Sequence, residues 1–429
     1  MKGLKDTLAN LSRLRDRFER LLSSAVKRGG GQPSVPGRLR EVVGFGTNPG
    51  NLRMLAYVPT ELAKPRALVV ALHGCTQTAA VYDHGSGWST LADTHGFAVL
   101  FPEQQRANNP NNCFNWFLPP DTQRDHGEAL SIRQMIERMI GDHGIDRGRI
   151  FVVGLSAGGA MAATMLATYP DVFAGGAIIA GLPYGSARNV QEAFQAMAKG
   201  SDRSARALGD LVREASGHRG TWPKISVWHG LSDAIVNPSN MEDALKQWSD
   251  VHGVGVLPRI EHTIEGHLRR AWRTKADEDV IEAVSITGMG HGVPLASHGV
   301  ERCGNAGPFH FDVGISSSQH ILRFWGLAGS SVAAEREAAT QVRPLVPAEA
   351  EVYAIPSRAG RESASRASGE PDGRSSEAWP RHDPRPVIEA ALKAAGLLSE
   401  AGAQQGANNP LDPRHIITGT LRSVGLLRN

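Results

Sequence analysis

The sequence predicts an α/β domain: a mostly parallel central sheet flanked by helices. Six short apolar runs predict it, "ALVVALHG", "FAVLFPE", "RIFVVGLS", "FAGGAIIAG", "ISVWHG" and "AVSITGMG", which recur between residues 67 and 290 and are bounded by Gly, Pro or His. Their residues are apolar on both faces instead of alternating, which suits strands covered from both sides. The second observation is the helical periodicity of "GEALSIRQMIERMIGDHG" and "SAGGAMAATMLATYP" between those runs, the crossover that parallel strands require.

Taken in chain order, the first segment places Leu4, Leu8, Leu11, Phe18 and Leu22 at steps of four and three around Arg15. Residues 1–28 therefore read as an amphipathic helix with a polar face rich in Lys and Arg. Two readings stand beside each other. Such a helix docks on an anionic or hydrophobic surface or self-associates, or it packs on its own domain. Residues 29–39, rich in Gly and Pro, read as a linker, and residues 40–330 as the main domain. In "RDHGEAL", Asp125 and Glu128 fit a capping arrangement at a helix start. Residues 199–220 are polar and read as a surface helix. Residues 331–386 hold few large apolar side chains, too few to offset the entropy of ordering, and are expected to be disordered. The last segment, 387–429, has room for one short helix.

Composition excludes several classes of function. The chain has 429 residues, longer than one usual core, and a net charge of only +3. A nucleic-acid partner is not expected from so mild a charge. The apolar run "AGGAIIAGLPYG" is far too short to span a bilayer, and no transmembrane segment is expected. The amino-terminal segment lacks the apolar core of a secretory signal, from which a cytoplasmic location is expected. Three cysteines, Cys75, Cys113 and Cys303, form neither a disulfide framework nor the close pairs of a zinc site. No G-x-x-x-x-G-K loop or H-E-x-x-H motif occurs, so neither a cofactor nor a metal is expected.

The chemistry is carried by Gly154-Leu155-Ser156-Ala157-Gly158, a G-x-S-x-G motif between a strand and a helix. Each glycine inside a helix costs roughly 1 kcal/mol relative to alanine, yet Gly158 and Gly159 open one. A serine on a sharp strand-to-helix turn explains them: larger side chains would strike the crossing backbone, and small ones let the Ser156 hydroxyl project into solvent at the helix amino terminus. A serine hydroxyl needs a base, and the base an orienting acid, in the order Ser, Asp or Glu, His. Asp233 follows the run "ISVWHG" and His291 follows "AVSITGMG", flanked by glycines. Asp243, Asp250 and Asp312 are rival acids, and His229 is a weaker base because it precedes the acid. Two backbone amides would complete an oxyanion hole: Ala157, after the nucleophile, and Cys75 in "ALHGCTQTA". The loop "NPNNCFNWFLPPDTQRDHG" carries Asn115, Trp116 and Phe117, read equally as an acyl pocket or a packed rim. Cys113 is placed to bridge Cys75, and a reduced pair is an equal reading.

"LHGCTQTA", "NNCFNW", "GLSAGGAMA", "HGLSD" and "GMGH" resemble, in the same order, blocks of the polyhydroxybutyrate depolymerase-type esterases, α/β-hydrolases related to feruloyl and acetylxylan esterases. The resemblance runs from Leu72 to His291 and extends to "FWGL" around Gly326. It implies the α/β-hydrolase fold and hydrolysis of hydroxyalkanoate polymers or oligomers, with Ser156 as nucleophile, Asp233 as acid and His291 as base. It also implies export, against the cytoplasmic expectation. Feruloyl or acetyl-sugar esters are the alternative substrates. The rival of another class is a non-catalytic protein that binds granules or lipid through residues 1–28.

Overall fold

The computed structural model describes residue 20 and residues 37–60, 66–299 and 302–328. The expectations for residues 1–28, apart from residue 20, for most of 29–39 and for 331–429 fall outside the described residues.

Among the described residues a ten-stranded sheet forms the centre. Its strands are β1 (Arg40–Val42), β2 (Arg53–Tyr57), β3 (Leu68–Leu72), β4 (Ala98–Glu103), β5 (Ile150–Leu155), β6 (Gly175–Ile179), β7 (Lys224–Gly230), β8 (Ile260–Ile264), β9 (His267–Arg273) and β10 (Asp279–Ile286). They lie in the order β1-β2-β4-β3-β5-β6-β7-β10-β9-β8. The six strands from β4 to β10 in that order run parallel. These six are the six apolar runs. Every residue of β3, β5 and β6 is buried, which leaves no alternation for a half-exposed strand to show.

Successive side chains alternate between two cores. Leu68, Val70, Leu72 and Val152 face one layer, where they meet α4 (Gly127–His143), α5 (Ala157–Thr168) and α8 (Ser239–His252) through Ile132, Met161, Met165 and Trp248. Val69, Ala71 and Val153 face the other, against α1 (Ala79–Ser86), α2 (Trp88–His95) and α9 (Ser317–Phe324). There the Trp325 ring stacks on Phe151 and Trp88 at 4.9 and 6.0 Å. All twelve residues of α5 are buried, so the helix after the serine is a central packing element.

The remaining helices are α3 (Pro119–Thr122), α6 (Val190–Ala198) and α7 (Ala205–Ser216). The polar stretch 199–220 contains α7, which buries Leu208, Gly209 and Val212 on one side. Two further short strands, β11 (Val293–Leu295) and β12 (His310–Asp312), pair in parallel outside the main sheet. The sequence reading does not single out the β8–β9 hairpin. Its turn uses Glu265 and Gly266, both at positive φ, and its charged residues are paired: Arg269 with Glu282 at 2.9 Å and Arg270 with Glu242 at 2.6 Å. Both arginines lie on β9, which pairs with β10 on one side and β8 on the other, and their charge interrupts the apolar pattern seen in the parallel strands.

Register positions the site. Leu72 pairs with Gly154, Gly154 with Ile178, Ile179 with Trp228, and Gly230 with Ile286. The carboxyl ends of β3, β5, β6, β7 and β10 therefore form one edge. The loops carrying Cys75, Ser156, Asp233 and His291 all leave from it.

Candidate active site

Ser156 occupies the bend between β5 and α5 with φ 57°, a conformation costly for any residue with a Cβ. Its neighbours explain how the bend fits. A Cβ at Gly154 would lie 2.1 Å from the Gly158 carbonyl oxygen, and one at Gly158 would lie 2.2 Å from the Leu72 carbonyl oxygen. The glycines thus permit backbone contact between three segments. The Ser156 N–H donates to the Ile179 carbonyl at 2.9 Å, and the Ser156 carbonyl accepts from Ala160 N–H at 2.9 Å. These bonds hold the strained residue from both sides. Ser156 keeps 9% exposure as a whole residue.

Asp233 and His291 meet. His291 Nδ1 donates to Asp233 Oδ2 at 2.7 Å, while Asp233 Oδ1 accepts the Ile235 and Val236 N–H groups at 2.8 and 2.9 Å. His229 Nε2 lies 3.3 Å from Asp233 Oδ2 and donates to the Val236 carbonyl at 3.0 Å. Burial pushes the Asp233 carboxyl up, but the charge and hydrogen bonds of His291 and His229 outweigh it and hold the group well below the usual carboxylate range. With Nδ1 donating, His291 Nε2 remains an acceptor. No hydrogen bond joins Ser156 Oγ to His291 among the described residues; such bonds often tighten only with substrate bound. The rival acids are engaged elsewhere. Asp243 accepts from Ser201 N–H, Asp250 pairs with Arg213 at 2.6 Å, and Asp312 accepts from Ser297.

The Cys75 loop is fixed at several points. Cys75 and Cys113 form a disulfide with their Cα atoms 4.2 Å apart, joining segments 38 residues apart in sequence. A crosslink over that length is worth about 4 kcal/mol in the chain-entropy account. Thr76 N–H donates to the Asn111 carbonyl at 2.6 Å, and Gly74 N–H to Gln77 Oε1 at 2.8 Å. His73, fully buried, donates from Nδ1 to the Gly74 carbonyl at 2.8 Å and accepts Gln104 N–H on Nε2 at 3.0 Å. Burial lowers its pKa and keeps it neutral in that tautomer. The Cys75 amide donates to no acceptor among the described residues. Ala157 is the first residue of α5, where a helix leaves its N–H unpaired.

Glu128 corrects the capping expectation. The cap of α4 is His126, with no side-chain bond, and Asp125 N–H donates to the Tyr169 hydroxyl at 2.7 Å. Glu128 points inward, fully buried, and accepts from Gln104 Nε2 at 2.5 Å and Asn115 N–H at 2.8 Å. Burial, reinforced by Asp121, raises its pKa well above the ordinary value. Gln104 Nε2 also donates to the Cys113 carbonyl at 3.1 Å, so this buried acid braces the loop that carries the disulfide. A signal was present in the sequence: residues 128, 132, 135, 136 and 139 form one helical stripe, all buried.

The loop residues divide between two roles. Asn115 is held in the loop's own bonds, its side chain donating to Asp121 at 3.2 Å and accepting from Asn109 at 3.1 Å. Trp116 packs with Cys75, Cys113, Ala157 and Leu182, and Phe117 meets its ring edge-on at 5.4 Å. Beside His291 a cleft of about 820 Å³ opens, bordered by Ile235, Met289, Phe311 and Val313. Among the described residues no group of three or more His, Cys, Asp or Glu could hold a metal ion, and no helix is long and apolar enough to cross a membrane.

Residues 52–275 match the family model described as Esterase PHB depolymerase. The chain is 48% identical over 293 residues to poly(3-hydroxyalkanoate) depolymerase C of Paucimonas lemoignei, covering 68% of this chain and 70% of that protein. It is 34% identical over 262 residues to feruloyl esterase B of Thermothelomyces thermophilus, covering 59% and 87%. It is 36% identical over 274 residues to acetylxylan esterase A of Emericella nidulans, covering 61% and 87%. Among solved structures, an acetyl xylan esterase from Aspergillus awamori superposes with a TM-score of 0.58 at 25% identity, covering 68% of this chain and all of that one. With its mostly parallel sheet and flanking helices, the chain is a carboxylic ester hydrolase of the α/β-hydrolase fold and belongs to the esterase PHB depolymerase family.

Proposed function

We propose that the chain cleaves ester bonds of hydroxyalkanoate polymers or oligomers through an acyl intermediate on Ser156. The 2.7 Å bond between His291 Nδ1 and Asp233 carries the mechanistic part of this reading. It leaves Nε2 free to take the Ser156 proton as the hydroxyl oxygen attacks the ester carbonyl. The Cys75 and Ala157 amides donate to the oxygen that becomes negative, and Asp233 stabilises the imidazolium. The tetrahedral intermediate collapses, the leaving oxygen takes the proton from His291, and water repeats the sequence to release the acid. Asp233 is suited to this because it stays ionised throughout. We place the catalytic unit at residues 40–330.

Greater identity to the poly(3-hydroxyalkanoate) depolymerase than to the carbohydrate esterases supports the polyester substrate. The likeness to an acetyl xylan esterase structure keeps sugar acetates and feruloyl esters as the second reading. A panel of hydroxybutyrate oligomers, methyl ferulate and acetylated xylan tests the choice. The proposal requires the highest kcat/KM on the oligomers and fails if they are inert while either other ester turns over. The Cys75–Cys113 disulfide supports an oxidising compartment, and hence export, over the cytoplasm.

A further inference from the structure

Strand β7 brings a second imidazole to the Asp233 carboxylate. His229 is the next-to-last residue of β7 and pairs in register with Ser285 of β10, so it stands on the sheet, while Asp233 and His291 stand on loops that leave it. It is fully buried. The next residue is Gly230, where a Cβ would lie 2.5 Å from the Gly290 carbonyl oxygen. Glycine there lets the backbone leading to His291 close on the end of β7, one residue from His229.

The contacts assign the His229 proton. Its Nε2 lies 3.0 Å from the Val236 carbonyl oxygen and 3.3 Å from Asp233 Oδ2. Two acceptors would repel a lone pair at that nitrogen, so Nε2 carries the hydrogen and shares it between them. Asp233 Oδ1 is occupied by the Ile235 and Val236 N–H groups, which leaves Oδ2 facing two donors, His291 Nδ1 at 2.7 Å and His229 Nε2. Packing alone does not call for histidine here. His229 Nδ1 is buried and has no hydrogen-bond partner among the described residues, a cost that an aliphatic side chain would avoid.

We infer that His229 is a positioning residue: its shared hydrogen bond holds Asp233 Oδ2 toward His291 Nδ1 and sets how strongly that oxygen accepts from it. This rests on the reading of Asp233 and His291 as acid and base. Burial raises the Asp233 carboxyl, and the charge of His291 and the hydrogen bond from His229 bring it down; these two imidazoles are the titratable groups that act on it. An oxygen divided between two donors gives less to each. Removing the His229 donor therefore has two separable consequences. The carboxylate gains freedom to turn, which lowers turnover, and the undivided charge on Oδ2 favours protonated His291, which moves the acid limb of the pH profile upward. A side chain that only filled space would not produce the second.

His229→Leu removes the donor, and His229→Asn holds its amide one methylene short of the carboxylate. His229→Gln restores the donor, because the glutamine Nε2 reaches as far as the imidazole Nε2. Turnover of p-nitrophenyl butyrate is measured against pH, with a thermal melt for each variant. The leucine and asparagine variants should lower kcat by about 10- to 100-fold, the scale of a slightly misdirected catalytic group, with KM within about threefold. Their acid limb should rise by about 0.5–1 pH unit, the scale of one shared hydrogen bond to a charge. His229→Gln should recover most of kcat and return the limb to its wild-type position. The downfield proton resonance of the His291–Asp233 bond, read by NMR below the acid limb, should move further downfield in both donor-less variants. A folded donor-less variant with the wild-type limb and resonance overturns the inference, as does a His229→Gln enzyme as impaired as His229→Leu. If His291→Ala and Asp233→Asn are inactive beside unaltered His229 variants, the positioning role alone is refuted; full turnover in His291→Ala overturns both readings.

Discussion

Asp233→Asn separates a carboxylate that orients from one that merely fills space. The native carboxylate accepts on both oxygens: Oδ1 takes the Ile235 and Val236 N–H groups, and Oδ2 faces His291 Nδ1 at 2.7 Å and His229 Nε2 at 3.3 Å. Asparagine supplies one acceptor and one donor. Keeping Oδ1 on the two amides turns the NH₂ toward the histidines, and an NH₂ cannot accept from His291. The imidazole must then accept on Nδ1 and carry its proton on Nε2, the atom required to receive the Ser156 proton. The reversed tautomer should lower kcat by about 10⁴-fold, or roughly 5 kcal/mol of barrier. KM on p-nitrophenyl butyrate should stay within about threefold because the acyl and alcohol contacts are untouched. Steady-state kinetics on this ester, alongside a thermal melt to show that the variant is folded, measure both. A folded Asp233→Asn enzyme retaining more than about one tenth of kcat refutes the orientation argument.

Other perturbations follow from the same contacts. Gly158→Ala sets a Cβ 2.2 Å from the Leu72 carbonyl and 2.5 Å from that of His73, so it should cost about 2–3 kcal/mol, lower Tm by roughly 5–10 °C, and reduce kcat by displacing the Ala157 amide; calorimetry and p-nitrophenyl butyrate turnover check it. Replacing both Cys75 and Cys113 by alanine should cost up to about 4 kcal/mol in urea unfolding and lower kcat more than KM is raised, because the Cys75 amide loses its anchor. Glu128→Ala removes the buried acceptor of the Asn115 N–H and one of the two acceptors of Gln104 Nε2, a loss of about 2–4 kcal/mol readable by urea midpoint. The Glu128 carboxyl holds its proton in the folded state above the pH at which the unfolded chain releases it, so its contribution to stability falls as pH rises from about 4 upward. Asp233 acts with the opposite sign, since its depressed pKa gives stability that is lost on acidification below the ordinary carboxylate range. A Glu128→Gln variant should show a shallower decline between pH 4 and its folded pKa, and an unchanged slope would contradict this account.

What was legible in the sequence was whatever local sterics or uniform burial writes into adjacent residues. The six parallel strands are apolar on both faces, and the bend at Ser156 needs its glycines because backbone crosses within a few ångströms of them. Asp233 and His291 could be named from their places after strands, although strand order, which no local pattern contains, decides that their loops meet. Glu128 was misread because a capping pattern and a buried stripe coincide there, and the partners that distinguish them, Gln104 and Asn115, come from other segments. The role of His73 in bracing the Cys75 loop is hidden for the same reason, since Gln104 N–H comes from beyond β4. The cysteine pair stayed open because spacing alone does not report a 4.2 Å approach of two loops. The β8–β9 hairpin was unread because its arginines pair with acids on β10 and α8, and those acids are remote in the chain.

The claim on which the mechanism depends is that Ser156 carries the acyl group. Incubation with a fluorophosphonate, followed by peptide mass spectrometry, tests it directly. One adduct per chain on the peptide containing Ser156, abolished in Ser156→Ala and strongly slowed in His291→Ala, is the expected result. Modification of another residue, or an unlabelled enzyme that still hydrolyses p-nitrophenyl butyrate after Ser156→Ala, would contradict it.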